Sequence, residues 1–163
     1  MLDPINIFIA EDDQDDLIIF ADALKEIEPN VNIHSFGNGN ELMDAMLNSG
    51  TIPDIIFLDI NMPYANGMEC LRELRNDIRF LRVPVIMLTT SGTREDIMDS
   101  FYAGATRYIT KPNEFRSLLN VLEQLFMLFH ARKLNKTDLL NFTMKPYLLS
   151  MESKFVSANE LIF

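Results

Sequence analysis

Polar side chains follow four of the short apolar runs in this sequence, each at the point where the run ends. The first run is followed by Glu11 and Asp12, the third ends in Asp59, the fourth ends in Thr89, and the fifth is followed closely by Lys111. Carboxylates that lie close together repel one another and raise one another's pKa unless a cation lies among them. Ligation by oxygen atoms alone, with no His or Cys in the pattern, favours Mg2+ or Mn2+ over zinc. If these runs are neighbouring strands, the pattern predicts a divalent-metal site.

A metal held by only a few protein oxygens keeps open positions for water or for phosphoryl oxygens. The hydroxyl of Thr89 and the ammonium of Lys111 are the groups that the other oxygens of a phosphoryl group need. Asp59 is then the candidate nucleophile, with the metal and Lys111 neutralising charge as it develops. A single Asp at the end of a strand more often caps the following loop, so this interpretation depends on the other strand ends.

Continuous and alternating apolar runs separate interior strands from edge strands. Residues 55–58 and 85–88 are wholly apolar, and residues 5–10 are apolar except for Asn6, as is typical of strands buried on both faces of a parallel sheet. Residues 31–36 alternate, and the run that contains Tyr108 is short and mixed. Because a helical pattern follows each run, the sequence predicts five βα units.

The same pattern predicts the order of the strands. The first, third and fourth strands belong inside the sheet, and the second and fifth belong at its edges. Right-handed crossovers then favour a five-stranded parallel sheet in the order 2-1-3-4-5 with helices on both faces, an α/β fold of the flavodoxin-like kind. The chain reverses between strands one and three, and ligands bind at such a switch point. Glu11 and Asp12 lie on one side of it and Asp59 on the other.

Composition limits the classes of partner. The formal net charge is -10 and no basic patch is visible, which argues against nucleic acid. Cys70 is the only cysteine, so an internal disulfide is excluded and a reducing compartment fits. No apolar stretch approaches the roughly 20 residues that cross a bilayer, and residues 1–4 do not begin a secretory signal. We therefore predict a cytoplasmic protein without a membrane partner.

The polar residues and their neighbours form a set of motifs with a fixed order. This set resembles the receiver domain of two-component response regulators, and the resemblance covers about residues 5–131. One motif alone would be weak, but five motifs at the ends of the correct strands are specific. The motifs are Glu11-Asp12, Asp59-x-x-Met62-Pro63-x-x-x-Gly67, Thr89, and Tyr108-x-x-Lys111-Pro112.

The resemblance implies roles for the acidic residues. Asp59 is expected to be the phosphoacceptor and a ligand of Mg2+, with Mn2+ as the alternative metal. Asp12 is expected to bind the metal directly and Glu11 to bind it through water. The backbone carbonyl of Asn61 is the remaining expected protein ligand.

The resemblance also implies roles at the fourth and fifth strands. Thr89 is expected to donate a hydrogen bond to the phosphoryl group, and Lys111 is expected to pair with it. Tyr108 is expected to act as an aromatic switch that responds when Thr89 moves, although an ordinary edge-strand aromatic is the alternative. The Lys111–Pro112 peptide bond is expected to be cis.

Three functions remain open at this point. The resemblance implies a phosphoacceptor that takes its phosphoryl group from a histidine kinase or a histidine phosphotransfer protein, catalyses that transfer itself, and acts by protein-protein contact or phosphorelay. A metal-dependent phosphohydrolase of the haloacid dehalogenase type is disfavoured, because its Asp-x-Asp pair follows the first strand, whereas Asp59-Ile60-Asn61 ends the third. A receiver that serves only as a binding module is disfavoured by the full set of polar groups.

Other candidate residues have simpler interpretations. Asp13, Asp15 and Asp16 are predicted to be acids that favour the N-terminus of the first helix rather than extra metal ligands. His34 is predicted to be a surface residue of an edge strand. His130 near the end of the last helix is predicted to interact with the helix dipole rather than to carry phosphate.

Residues 132–163 fit no element of the predicted receiver domain, which we expect to span residues 1–131. They are too few for a DNA-binding output domain and too apolar for a solvated tail. Val121, Leu125 and Leu128 form a second apolar stripe on the last helix, which we expect to be more than one sheet face can bury. We predict that this C-terminal extension packs on that helix, in its own subunit or in a neighbour's, which leaves a homodimer through this face as an alternative.

Overall fold

Five strands, each followed by a helix, make up the computed structural model, which describes residues 3–64, 66–90 and 93–134. All five predicted βα units are present. Their bounds are β1 Ile5–Ala10, α1 Gln14–Ile27, β2 Val31–Phe36, α2 Gly39–Asn48, β3 Ile55–Asp59, α3 Gly67–Asn76, β4 Val85–Thr89, α4 Arg94–Tyr102, β5 Arg107–Thr110 and α5 Phe115–Leu134.

The strands form one parallel sheet in the order β2-β1-β3-β4-β5, which confirms the predicted order. Every residue of β3 and β4 is buried, as continuous apolar runs predict, whereas β2 is partly exposed along its length. The edge strand β5 departs from this pattern, because three of its four residues are buried. The carboxyl ends of β1 and β3 are neighbours, since Ala10 pairs with Leu58.

Two apolar clusters lie on the two faces of the sheet. One cluster joins β1, β3 and β4 to α1 and α5, and the other joins the same strands to α2 and α3, with residues of α4 packed against it. Helices therefore cover both faces, as predicted. Leu125 of α5 is buried in the first cluster, so the expectation that one sheet face could not bury its stripe is wrong at that residue.

The third helix ends before the next apolar residue of its sequence. Cys70, Leu71 and Leu74 form its buried stripe, and helical spacing would place Ile78 on the same face, but α3 ends at Asn76 and Ile78 is 84% exposed. The physical reason lies at Asp77, whose backbone is extended and whose carboxylate accepts hydrogen bonds from the backbone N–H and the guanidinium of Arg79. This local turn competes with a further helical turn.

The predicted packing of residues 132–163 falls largely outside the described residues. The structure shows only that the backbone of α5 continues to Leu134. Within the described part of the chain, no helix combines the length and the apolar character needed to cross a membrane.

Candidate functional site

Four strand ends bring polar groups to one edge of the sheet. Glu11 follows β1, Asp59 ends β3 and Thr89 ends β4, and all three side chains are buried. Lys111 follows β5, and its backbone N–H donates to the carbonyl of Thr89 at 2.7 Å. The parallel arrangement is the reason that these groups meet, because all carboxyl ends of parallel strands lie at the same edge.

The ammonium group of Lys111 lies at the centre of this edge. Its Nζ atom is 2.6 Å from Oδ2 of Asp59, 2.6 Å from Oε2 of Glu11 and 2.9 Å from Oδ2 of Asp16. Burial by itself would lower the pKa of Lys111, but the hydrogen bonds to Asp59, Glu11 and Asp16 outweigh it, so the pKa is raised. The lysine therefore stays charged at any physiological pH.

Three carboxylates form a cluster beside that ammonium group. Glu11, Asp12 and Asp59 each offer a carboxylate oxygen, and these oxygens lie within 4.8 Å of one another. Burial raises the pKa of Glu11 to about 7 in spite of its hydrogen bond to Lys111, and the charge of Asp59 adds to this effect. A divalent cation among these oxygens would offset their mutual repulsion and the cost of burying Glu11 and Asp59 as anions, whereas Asp12 is exposed. A donor set of hard oxygens alone fits Mg2+ or Mn2+.

Both oxygens of Asp59 are held in place. Oδ2 pairs with Lys111, and Oδ1 accepts a hydrogen bond of 2.8 Å from the backbone N–H of Asn61. The start of α3 packs directly on the backbone here, because a Cβ atom at Gly67 would lie 2.2 Å from the carbonyl oxygen of Asp59. Only glycine allows this approach. Met62 is buried in the apolar cluster beneath the loop, so Met62 and Gly67 of the motif have packing roles that fix Asp59.

Thr89 and Tyr108 are linked on the neighbouring strands. Their side chains are hydrogen-bonded to each other, and both are almost fully buried. Burial raises the pKa of the Tyr108 hydroxyl. Tyr108 is only 2% exposed and belongs to the apolar cluster on the α2–α3 face, and its role as an aromatic switch stays a prediction.

One expectation at this strand is wrong in the structure. No cis peptide bond occurs in the described parts of the chain, so the Lys111–Pro112 bond is trans rather than cis. The trans form of an X–Pro bond is the favoured one by about 0.5–1 kcal/mol.

Asp16 is the residue of this site that sequence reasoning missed. Its place in the first turn predicts only an acid that favours the start of α1, but its carboxylate contacts Lys111. The sequence feature that indicates this contact is the position of Asp16, because the first turn after β1 lies at the same edge of the sheet as the end of β5. Asp13 does have the predicted helix-capping role, since its side chain accepts from the N–H groups of Asp15 and Asp16.

Neither histidine belongs to the site. His34 is exposed on β2, where its ring packs at a tilt against Phe8. His130 on α5 lies 2.7 Å from a carboxylate oxygen of Glu28, at the end of α1 that is remote from the acidic cluster.

Comparison with known proteins identifies relatives of this chain. The family model for the response regulator receiver domain matches residues 7–123. The chemotaxis protein CheY1 of Helicobacter pylori is 38% identical over 58 residues, which are 36% of this chain and 47% of CheY1. The alignment thus spans less than half the length of that curated relative.

Solved structures have the same architecture. The phosphorylated cyanobacterial phytochrome response regulator RcpA superposes with a TM-score of 0.72 at 27% identity, over 77% of this chain and 94% of RcpA. The Mn2+-bound form of the response regulator Rcp1 superposes with a TM-score of 0.68 at 25% identity, over 75% of this chain and 91% of Rcp1. Because the family model matches more than half of the sequence, the chain belongs to the response regulator receiver domain family of two-component signalling.

Proposed function

We propose that this chain is a phosphoacceptor response regulator, in which Asp59 takes a phosphoryl group from a phosphohistidine. The donor would be a histidine kinase or a histidine phosphotransfer protein. The observation that carries the proposal is the ion pair of 2.6 Å between Asp59 and Lys111, beside a cluster of three carboxylates whose oxygens lie within 4.8 Å of one another. Output would be protein-protein contact or onward phosphoryl transfer.

Phosphoryl transfer needs a positioned nucleophile and compensation of charge. A carboxylate oxygen of Asp59 forms the new P–O bond as the P–N bond to the donor imidazole breaks, and the electron pair of that bond leaves with the imidazole nitrogen. Lys111 is near enough to exchange one carboxylate partner for a phosphoryl oxygen, and the N–H of Asn61 keeps the carboxylate oriented. Thr89 supplies a hydroxyl for another phosphoryl oxygen.

A divalent metal has a specific part in this proposal. Asp12 and Asp59 would hold Mg2+ directly, Glu11 through water, and Asn61 through its backbone carbonyl. When bound, Mg2+ supplies positive charge next to the oxygens on which negative charge develops. Mn2+ would serve in the same donor set.

The link between Thr89 and Tyr108 gives phosphorylation a route to the protein surface. If Thr89 redirects its hydroxyl toward the phosphoryl group, Tyr108 loses its hydrogen-bond partner and must repack against the apolar cluster around it. This repacking would bias α4, β5 and α5 between two states. Couplings of this kind are typically about 1–3 kcal/mol, enough to change the affinity for a partner.

Location and assembly belong to the same proposal. A cytoplasmic location is supported by Cys70, which is a free, buried thiol. A homodimer through the last helix and the C-terminal extension remains a prediction, which the molar mass in solution would test.

The decisive experiment is to map the phosphoryl adduct. We expect the protein with Mg2+ and acetyl phosphate to gain the mass of one phosphoryl group on Asp59, and to lose it after addition of hydroxylamine. Asp59→Asn should gain none, whereas Asp44→Asn, which changes an exposed acid on α2, should behave like the wild type. A normal adduct on Asp59→Asn would overturn the proposal.

The same preparation distinguishes the phosphohydrolase alternative. That enzyme class would release phosphate from a small phosphate ester over many turnovers. We expect no such turnover with p-nitrophenyl phosphate, since the Asp-x-Asp pair of that class follows its first strand, whereas Glu11-Asp12-Asp13 follows β1 here. Sustained release of p-nitrophenol that depends on Asp59 would favour the phosphohydrolase instead.

A further inference from the structure

We propose that Asp16 is a positioning residue, which holds the ammonium group of Lys111 in place while Asp59 is phosphorylated. This inference rests on the proposed function and adds a residue to it. The carboxylate of Asp16 lies 2.9 Å from Nζ of Lys111, across a separation of 95 residues in the chain. It joins the first turn of α1 to the end of β5.

The contacts of Lys111 distinguish Asp16 from its other two partners. A lysine ammonium has three N–H donors, and the three carboxylates of Asp59, Glu11 and Asp16 use all of them. Glu11 and Asp59 also belong to the cluster suited to a metal ion, but Asp16 does not. When a metal ion binds at Glu11 and Asp59 and a phosphoryl group is added to Asp59, Asp16 is thus the carboxylate that can stay paired with Lys111.

The first turn of α1 holds Asp16 rigidly. The side chain of Asp13 accepts hydrogen bonds from the backbone N–H of Asp15 at 2.9 Å and of Asp16 at 3.0 Å. The next residue, Leu17, is buried in the core and donates its N–H to the carbonyl of Asp13. The carboxylate of Asp16 therefore projects from a capped and anchored turn, although 44% of its side chain is exposed.

Positioning and simple electrostatics predict opposite results. A negative charge on Asp16 repels the incoming phosphoryl group, so its removal should speed the reaction if charge alone mattered. A lysine side chain has several rotatable bonds, and an anchor reduces the rotamer entropy that is lost in the transition state. A slower reaction after removal of Asp16 would therefore come from lost positioning.

The test compares phosphorylation rates from acetyl phosphate at saturating Mg2+. We expect Asp16→Ala to lower the rate by about fivefold, the size expected for a partly exposed ion pair. Asp16→Asn keeps an acceptor oxygen and should react at least as fast as the wild type. Asp15→Ala is the matched control, because it removes a charge from the same turn at an exposed position, and its rate should be unchanged.

A second readout needs neither metal nor phosphate. The rate at which an amine-reactive reagent labels Lys111 can be measured by mass spectrometry of the metal-free protein, with the exposed Lys25 as the internal reference. Asp16→Ala should increase labelling of Lys111 by about threefold, because an ion pair of this exposure is weak but measurable. Labelling of Lys25 should not change.

A double-variant comparison completes the test. In a Lys111→Met background, Asp16→Ala should cause no further loss of rate, since the residue acts through Lys111. An equal loss in both backgrounds, or a phosphorylation rate of Asp16→Ala equal to or above the wild-type rate where the wild-type adduct forms on Asp59, overturns this inference alone. Absence of any adduct on wild-type Asp59 overturns the proposed function and this inference together.

Discussion

Two partly buried cations, Lys111 and Arg75, occupy opposite edges of the same sheet and have partners of different kinds. At the carboxyl edge, Lys111 pairs with three carboxylates. At the amino edge, Arg75 on α3 donates to three backbone carbonyls in the segments that lead into β4 and β5. The distances are 2.8 Å to Gly104, 3.1 Å to Phe80 and 3.0 Å to Val83.

The partners decide what each cation can do. Carbonyl oxygens belong to the backbone, carry no net charge, and cannot leave without moving two loops. Burial lowers the pKa of Arg75, whereas the carboxylates around Lys111 raise the pKa of that residue despite burial. Carboxylates can turn toward a metal ion or be replaced by phosphoryl oxygens. The comparison indicates that the Arg75 centre stabilises the fold and that the Lys111 centre is available for chemistry.

Removal of the cation at the amino edge should have the largest effect on stability. Arg75→Ala is expected to lower the free energy of unfolding by about 3 kcal/mol, because three partly buried carbonyls lose a charged donor. Denaturant titration measures this change, and Arg72→Ala, at an exposed position on the same helix, is the control. The phosphorylation rate per folded molecule should stay within about twofold of the wild type. A much larger loss of rate would break the comparison.

Removal of the cation at the carboxyl edge should mainly affect chemistry. Lys111→Met is expected to reduce the phosphorylation rate from acetyl phosphate by about a hundredfold, equivalent to about 2.7 kcal/mol of transition-state stabilisation. Lys25→Ala is the control for a lysine outside the site. In saturating Mg2+ the loss of stability caused by Lys111→Met should be smaller than that caused by Arg75→Ala. The reverse ranking of the two variants would show that the structural cation is Lys111.

A smaller change tests the Arg75 centre without removing its charge. Gly104 has a φ angle of +98°, and a Cβ atom there would lie 2.9 Å from Cγ of Arg75. Gly104→Ala should therefore cost about 2 kcal/mol of stability, from backbone strain and displacement of the arginine. Thermal unfolding measures it, and Gly50→Ala, also at positive φ but with open space around it, separates the strain from the displacement. Equal losses for both variants would leave no role for the contact with Arg75.

The smallest effect concerns pH at the acidic cluster. Glu11 has a pKa raised to about 7 by burial, so below that pH the metal-free protein holds a proton that Mg2+ must displace. The Mg2+ affinity should fall by up to about tenfold per pH unit below 7 and level off above it. Lys111 stays charged throughout this pH range, so it does not contribute to the pH dependence of Mg2+ binding. Titration calorimetry measures the Mg2+ affinity as a function of pH. Glu11→Gln should bind Mg2+ more weakly and should not show the fall in affinity below pH 7. An unchanged fall in this variant would assign the proton to another group.

The amino-acid pattern by itself determined the strand order and the edge at which the site lies. Continuous apolar runs at β1, β3 and β4 required two covered faces, and parallel strands bring Glu11, Asp59 and Thr89 to one edge. A local signal also sets the start of α4, where the side chain of Thr93 caps the helix by accepting a hydrogen bond from the N–H of Asp96. These features depend only on residue type and on short-range periodicity.

Only the tertiary structure decided which groups touch across long separations. The contact of Asp16 with Lys111 depends on the phase of α1 relative to β5, which no local pattern specifies. The partners of Arg75 are backbone carbonyls, which every residue has, so its role left no signature in the sequence. The burial of Tyr108 on an edge strand has the same origin, because it depends on which side chains pack over that strand.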